Sequence, residues 1–219
     1  MLEARRLVRR FTTPAGPLTV LAGVDVRVVA GESWAVTGPS GSGKSTLLHL
    51  LAGLDRPTEG GVWWGSLAVH ELNSEAAARA RSGRVGLVFQ RHHLLPELDA
   101  LENVTLPGRV AGRVDLDRGR ALLDAVGLSE RTRARPRTLS GGERLRVAVA
   151  RALYARPRVV LADEPTGSLD RASADAVVAA LLGAAAADGA AVVLVTHDER
   201  VAERCDRRGR LDAGLLQNA

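Results

Sequence analysis

The chain has 219 residues, 46% hydrophobic and 25% charged. That fits one globular α/β domain with room for a small inserted lobe, and it excludes a disordered chain. A formal net charge of +5 and a pI near 10.7 leave three basic-surface partners open: nucleic acid, anionic lipid headgroups or nucleotide phosphates. The default is a solvated arginine surface. Cys205, the only cysteine, excludes an internal disulfide.

In chain order, Leu2 to Phe11 and Leu18 to Val29 read as antiparallel strands joined by a turn at Thr12 to Pro17. Ser33 to Thr37 is a short strand running into a Gly/Ser loop, and Lys44 to Leu54 a helix closed by Gly53 and Pro57. Val62 to Trp64 and Val85 to Phe89 are further strands. Arg91 to Arg135 changes character, being charged, loop-rich and mostly helical; Leu116 to Val126 has helical spacing and stops at Gly127. This is the predicted lobe, taken as about residues 91–138 inside a single domain, 1–219. Ser140 to Ala155 is a helix stopped before Pro157, and Val159 to Ala162 an apolar strand of the kind buried in a parallel sheet. Arg171 to Ala187 is a helix, Val192 to Thr196 a strand, and Asp198 to Arg204 a short helix. The apolar run Ala176 to Val195 is interrupted by Gly183, Asp188 and Gly189, so it reads as helix plus strand rather than a membrane span. The N-terminus lacks a signal-peptide pattern, and any membrane is expected to be reached through a partner.

Three segments carry chemistry. Gly38-Pro39-Ser40-Gly41-Ser42-Gly43-Lys44-Ser45-Thr46 matches the P-loop pattern and sits between a strand and a helix. Glycines let the backbone N–H groups turn toward phosphate oxygens, and the helix N-terminus adds positive potential. Lys44 is the only lysine among 30 Lys and Arg residues. A lysine kept against such a bias points to a chemical need for a compact ammonium. It is expected on the β/γ-phosphates, with the Ser45 hydroxyl on Mg²⁺. Val159 to Glu164 is an apolar strand ending in two acids. Asp163 is assigned to the metal shell and Glu164 to polarising the attacking water. Leu139-Ser140-Gly141-Gly142-Glu143 opens a helix with a good N-cap and exposed donors, a second anion site; it also reads as a capping box of Ser140 and Glu143. One triphosphate does not need two such sites in one chain, whereas a dimer that sandwiches ATP would use both.

On these motifs the sequence resembles the nucleotide-binding subunits of ABC transporters, over nearly its whole length and in the family's motif order. Leu139 to Gly142 is similar to the signature loop, Gln90 at a strand end to the Q-loop glutamine, Ser168-Leu169-Asp170 to the D-loop, and His197 to the switch histidine. Phe11 lies where the family stacks adenine on an aromatic ring. His92 to Glu97, Leu101 to Val104 and Ala162 to Gly167 resemble the lipoprotein-release and macrolide-exporter branch, with cell-division ABC ATPases as close relatives. In that branch the stretch after Gln90 docks the membrane partner. Three departures stand out: Glu143 where many members carry Gln, a slightly short lobe around Gly112 to Asp124, and a polar Arg207-Arg208-Gly209-Arg210 that predicts a frayed last strand. The basic run Arg131 to Arg137 reads first as a solvated turn, with lipid headgroups or the membrane partner as the alternatives it could face.

The resemblance implies a P-loop ATPase fold with a mixed core sheet, N-terminal antiparallel strands and a helical lobe. It implies a homodimer closing on two ATP·Mg²⁺, each held between the P-loop of one chain and Ser140 to Glu143 and Asp170 of the other. Catalysis would fall to Glu164, His197, Lys44 and Gln90, and the metal to Ser45, Gln90 and Asp163. The partner would be an integral membrane permease, placing the chain peripherally on the cytoplasmic face of the cell membrane. Two other readings share the motifs: an ABC ATPase driving a non-transporting mechanotransmission complex, and a soluble ABC ATPase acting on nucleic acid. The second is disfavoured by a single domain without a coiled-coil arm, and no nucleic acid is expected.

Overall fold

The computed structural model describes residues 1–167 and 169–218, the side chain of Asn218 apart. Ser168, read above as part of the D-loop, lies outside the described residues.

Strands β1 (Leu2–Thr13) and β2 (Gly16–Val28) form a long antiparallel hairpin whose tip is tighter than predicted, with Thr13 paired to Gly16. Then come β3 (Ser33–Thr37), α1 (Lys44–Leu51), β4 (Glu59–Trp64), β5 (Leu67–Ala68), α2 (Ser74–Arg81) and β6 (Val85–Phe89). Helix α1 stops three residues before the predicted end. Gly53 adopts φ 61, and a side chain there would strike Val69 and Trp64. Residues 91–138 contain α3 (Ala100–Val110) and α4 (Leu116–Ala125), which pack on one another and on α5 (Gly141–Leu153). The chain closes with β7 (Val159–Asp163), α6 (Arg171–Ala187), β8 (Ala191–Val195), α7 (Glu199–Ala202), β9 (Arg207–Asp212) and β10 (Leu215–Asn218).

These strands make two sheets. One is four-stranded and antiparallel, in the order β2-β1-β4-β5; the other is six-stranded, in the order β10-β9-β3-β8-β7-β6, parallel except for its β9–β10 edge. The pleat of the larger sheet divides the core. Val160, Ala162, Val192 and Leu194 face α5, α6 and the residue 91–138 helices, whereas Val159, Leu161, Val193 and Val195 face α1 and the antiparallel sheet. Being covered on both faces is why β7 and β8 read as unbroken apolar runs. Each fully buried Leu or Val there contributes roughly 1.5–3 kcal/mol of transfer free energy.

The predicted fraying of the last strand is wrong. β9 is a full strand paired in parallel with β3 from Trp34↔Arg207 to Thr37↔Arg210. Its arginines point outward while Gly209 and Leu211 are buried, so a half-buried alternation was mistaken for a polar segment. The Arg207 guanidinium lies 5.4 Å from the Trp34 ring and donates to the Arg27 carbonyl and to Glu32. Ala213 and Gly214 both have positive φ, 45 and 78, and turn the chain into β10 as a two-residue hairpin.

Among the described residues no helix is long and apolar enough to cross a membrane. The rejected span resolves into α6 and β8, as its Gly/Asp interruptions predict.

Candidate functional site

The site is built where β3, β6, β7 and β8 end together. Beyond β3 the chain passes through Gly38 (φ 149), Gly41 (φ 78) and Gly43 (φ 101) before α1 begins. Close packing as well as backbone angle demands glycine at two of these positions. A Cβ on Gly38 would lie 2.1 Å from the Leu211 carbonyl oxygen, and one on Gly43 2.9 Å from Val20 Cγ1. No side chain caps α1, so its first amides remain available to an anion. Lys44 is buried, and its Nζ donates to the Gly38 and Pro39 carbonyls, both at 2.9 Å. Among the described residues the buried Ser42 hydroxyl has no hydrogen-bond partner.

Asp163 ends β7, and its Oδ1 accepts from the Ser45 hydroxyl at 3.0 Å. Burial pushes the Asp163 carboxyl up, against the lowering effect of the Ser45 hydrogen bond. The next residue, Glu164, is a non-glycine at φ 44, held there by its N–H donating to the Val195 carbonyl. Its Oε2 accepts from His197 Nδ1 at 2.8 Å, which leaves Nε2 of that ring as the free nitrogen. Gln90 stands one residue past β6, beside Gly167, where an added Cβ would lie 3.2 Å from the amide Nε2.

A cleft of about 600 Å³ gathers Ser40, Gly41, Gly43, Lys44, Ser45 and Thr46 with Gln90, Glu164 and His197. Val20 of β2 also lines it, a residue with no motif to mark it in the sequence. It looks like any sheet valine; only its approach to Gly43 gives it a place. Ser45 and Asp163 offer one hydroxyl and one carboxylate, and among the described residues no cluster of three or more His, Cys, Asp or Glu exists to cage a metal. That donor set suits Mg²⁺, which keeps most of its waters or phosphate ligands.

Ser140, Gly141, Gly142, Glu143, Asp170 and Phe11 are not among the residues lining the cleft, and neither are Gly38, Pro39, Ser42 and Asp163, which sit behind the lining residues they contact or adjoin. Ser140 and Glu143 form a reciprocal capping box, Glu143 N–H to Ser140 Oγ at 3.2 Å and Ser140 N–H to Glu143 Oε2 at 2.8 Å. The Ser140 N–H holds the Glu143 carboxyl below its usual range, with the Arg131 ion pair at 3.2 Å adding to it. The basic run 131–137 is tied to α5 through Arg131, while all four of its arginines remain exposed, as a solvated turn predicts. Gly141 and Gly142 lie against Leu169 and Ser173, and Asp170 caps α6 by accepting from the Ser173 N–H. The Phe11 ring is partly exposed and carries the Arg9 guanidinium 4.3 Å from its centre.

The ABC transporter family model matches residues 21–167. The chain is 46% identical to the lipoprotein-releasing system ATP-binding protein LolD of Legionella pneumophila (strain Lens), covering 99% of this chain and 96% of that protein. It is 44% identical to the protein of the same name from Shewanella frigidimarina (strain NCIMB 400), covering 99% and 92%. Among solved structures, a dimeric post-hydrolysis state of the ATP-binding cassette MJ0796 bound to ADP and Pi superposes with a TM-score of 0.90 at 33% identity, covering 100% of this chain and 98% of that one. A second dimeric structure of MJ0796, described as a bacterial ABC transporter cassette, gives 0.89 at 34% identity over 99% and 96%.

Proposed function

The chain belongs to the ABC transporter family and is an ATPase subunit of that family, and from this premise we propose that it closes as a homodimer around two ATP to drive an integral membrane permease that extracts or exports lipid-linked substrates. The observation carrying the reading is the convergence of Lys44, Ser45, Glu164 and His197 on one cleft at the carboxyl ends of parallel strands, with Asp163 hydrogen-bonded to Ser45 behind it. That is where open α/β sheets bind ligands. The whole chain acts as one nucleotide-binding domain, with residues 91–138 as its helical lobe.

In this reading the loop amides and Lys44 hold the β/γ-phosphates, exchanging the Gly38 and Pro39 carbonyls for phosphate oxygens. Ser45, Asp163 and Gln90 would hold Mg²⁺, which when bound would supply charge neutralisation for the transferred phosphoryl group. Glu164 takes the proton of the attacking water, and His197, its Nδ1 engaged by Glu164, presents Nε2 to the γ-phosphate. Ser140 to Glu143 and Asp170 serve the second chain's nucleotide, which fits their absence from this chain's own cleft. Phe11 stacks the adenine. The chain sits peripherally on the cytoplasmic face of the membrane. The lipid-linked substrate follows from the name of the similar proteins, a lipoprotein-releasing system.

The test is affinity capture of the tagged chain from its native membranes with ATP present, followed by mass spectrometry. Co-recovery of a multi-span protein in about equal amount supports the reading. Recovery of a membrane protein whose complex moves no lipid-linked substrate favours mechanotransmission. Recovery of nucleic acid or soluble proteins alone refutes the membrane assignment.

A further inference from the structure

The residues that follow Gln90 are held from two sides. Fully buried Asn103 of α3 holds one part: its side chain accepts from the Leu95 N–H at 2.8 Å and donates to the Leu95, Leu98 and Asp99 carbonyls at 3.0–3.1 Å. Arg151, in the last turn of α5, holds the other. Its two terminal nitrogens donate to consecutive carbonyls, Nη1 to His93 at 2.6 Å and Nη2 to His92 at 2.7 Å.

Arg151 is a half-buried cation. Desolvation lowers its pKa, and among the described residues no carboxylate pairs with it. A guanidinium partly withdrawn from water without a counter-ion has to satisfy its donors by hydrogen bonding. Two carbonyls match the planar fork of arginine, and the negative end of the α5 dipole lies close by. The segment it grips is itself constrained: His93 adopts φ 47, and its ring meets Phe89 edge-on at 5.2 Å. Gln90 lies between Phe89 and this grip, and its side chain reaches the Gly167 backbone beside the cleft. The opposite end of α5 is capped by Ser140 and begins at Gly141 and Gly142.

We propose that Arg151 is a positioning residue: it fastens the backbone at residues 92–93 to α5, so that Gln90 in the nucleotide cleft and the Ser140–Gly142 loop are carried by one rigid element. This rests on the reading of Gln90 and Ser140–Gly142 as nucleotide-contacting groups. When the fork is removed, the loop retains its Asn103 anchor but loses the one nearest Gln90. Gln90 then samples positions away from the cleft while the P-loop stays intact.

The experiment compares Arg151→Ala and Arg151→Lys in the full chain, by hydrogen exchange with mass spectrometry and by steady-state ATP hydrolysis with Mg²⁺. The expected result for Arg151→Ala is faster exchange confined to about residues 91–95, a kcat lowered about 10- to 100-fold as for a misplacement near 1 Å, and a KM for ATP changed less than about 2-fold. Arg151→Lys recovers part of both losses, since an ammonium can reach one carbonyl but not the fork. Unchanged exchange at 91–95 overturns the proposal. So does loss of protection throughout β7 and α6, a KM that rises in step with the fall in kcat, or no difference between the Ala and Lys variants. Wild-type protein that hydrolyses no ATP would sink the proposed function, while the exchange comparison would still decide the fastening by itself.

Discussion

Gly38→Ala isolates how far the P-loop depends on a strand nearly the whole chain away. The added Cβ would sit 2.1 Å from the Leu211 carbonyl oxygen of β9, against an ordinary C···O contact of about 3.3 Å. Both partners are backbone, so either the loop or β9 must shift by about 1 Å; overpacking of this kind costs about 1–3 kcal/mol. Gly31→Ala is the matched control. Gly31 also has a positive φ, 75, but nothing lies within 4 Å of its Cβ position. It therefore bears only the conformational cost of roughly 1–2 kcal/mol. At about 2–4 °C per kcal/mol for a chain of this size, Gly31→Ala should lower Tm by about 2–8 °C and Gly38→Ala by several degrees more. A 1 Å displacement of the phosphate-binding loop should also lower kcat/KM about 100-fold for Gly38→Ala, with Gly31→Ala near wild type. Differential scanning fluorimetry and phosphate-release kinetics read both. If Gly38→Ala lies within 3-fold of wild type in kcat/KM, or loses no more stability than Gly31→Ala, the close-approach argument is refuted.

Other perturbations probe the remaining parts of the site. Glu164→Gln keeps an acceptor for His197 Nδ1 but removes the base, so turnover should fall about 10²- to 10⁴-fold while an ATP-bound dimer accumulates on gel filtration; failure to accumulate it would count against the assignment. Lys44→Arg replaces a buried point charge by a planar fork and should abolish binding of a fluorescent ATP analogue, with retained affinity overturning the role given to the ammonium. Glu143 has a depressed carboxyl pKa, caused first by the Ser140 N–H, so its ionised form stabilises the fold above the unfolded value of 4.5 and that contribution is lost as pH falls through the lower folded value. The Tm gap between wild type and Glu143→Gln should thus be largest above about pH 5 and close in acid, and a gap independent of pH would show the charge to be idle.

Much of this chain was legible because much of it is local. Gly38 to Thr46 is marked by glycines, a lysine and hydroxyls within nine consecutive residues, although the packing of Gly38 on Leu211 and of Gly43 on Val20 is not written there. Asp170, Ser140 and Asp115 cap helices through contacts only three residues long, and the predicted α6 matches Arg171–Ala187. The apolar runs of β7 and β8 announced a covered parallel sheet, and Lys44 stood out from its own composition.

Tertiary structure decided whatever depends on residues far apart in the chain. Arg207 to Arg210 looked too polar for a strand until β3 supplied its ladder and Trp34 its face for a guanidinium. Val20 became part of the cleft only by meeting Gly43, and Arg151 acquired a role only by reaching carbonyls 58 and 59 residues away. The sequence by itself determined which candidate phosphate-binding, metal-binding and capping groups exist, because spacing and local geometry encode them. The fold alone determined which of them share a cleft and which face outward, because burial and strand pairing are properties of neighbours that the chain brings together only on closing its two sheets around the core.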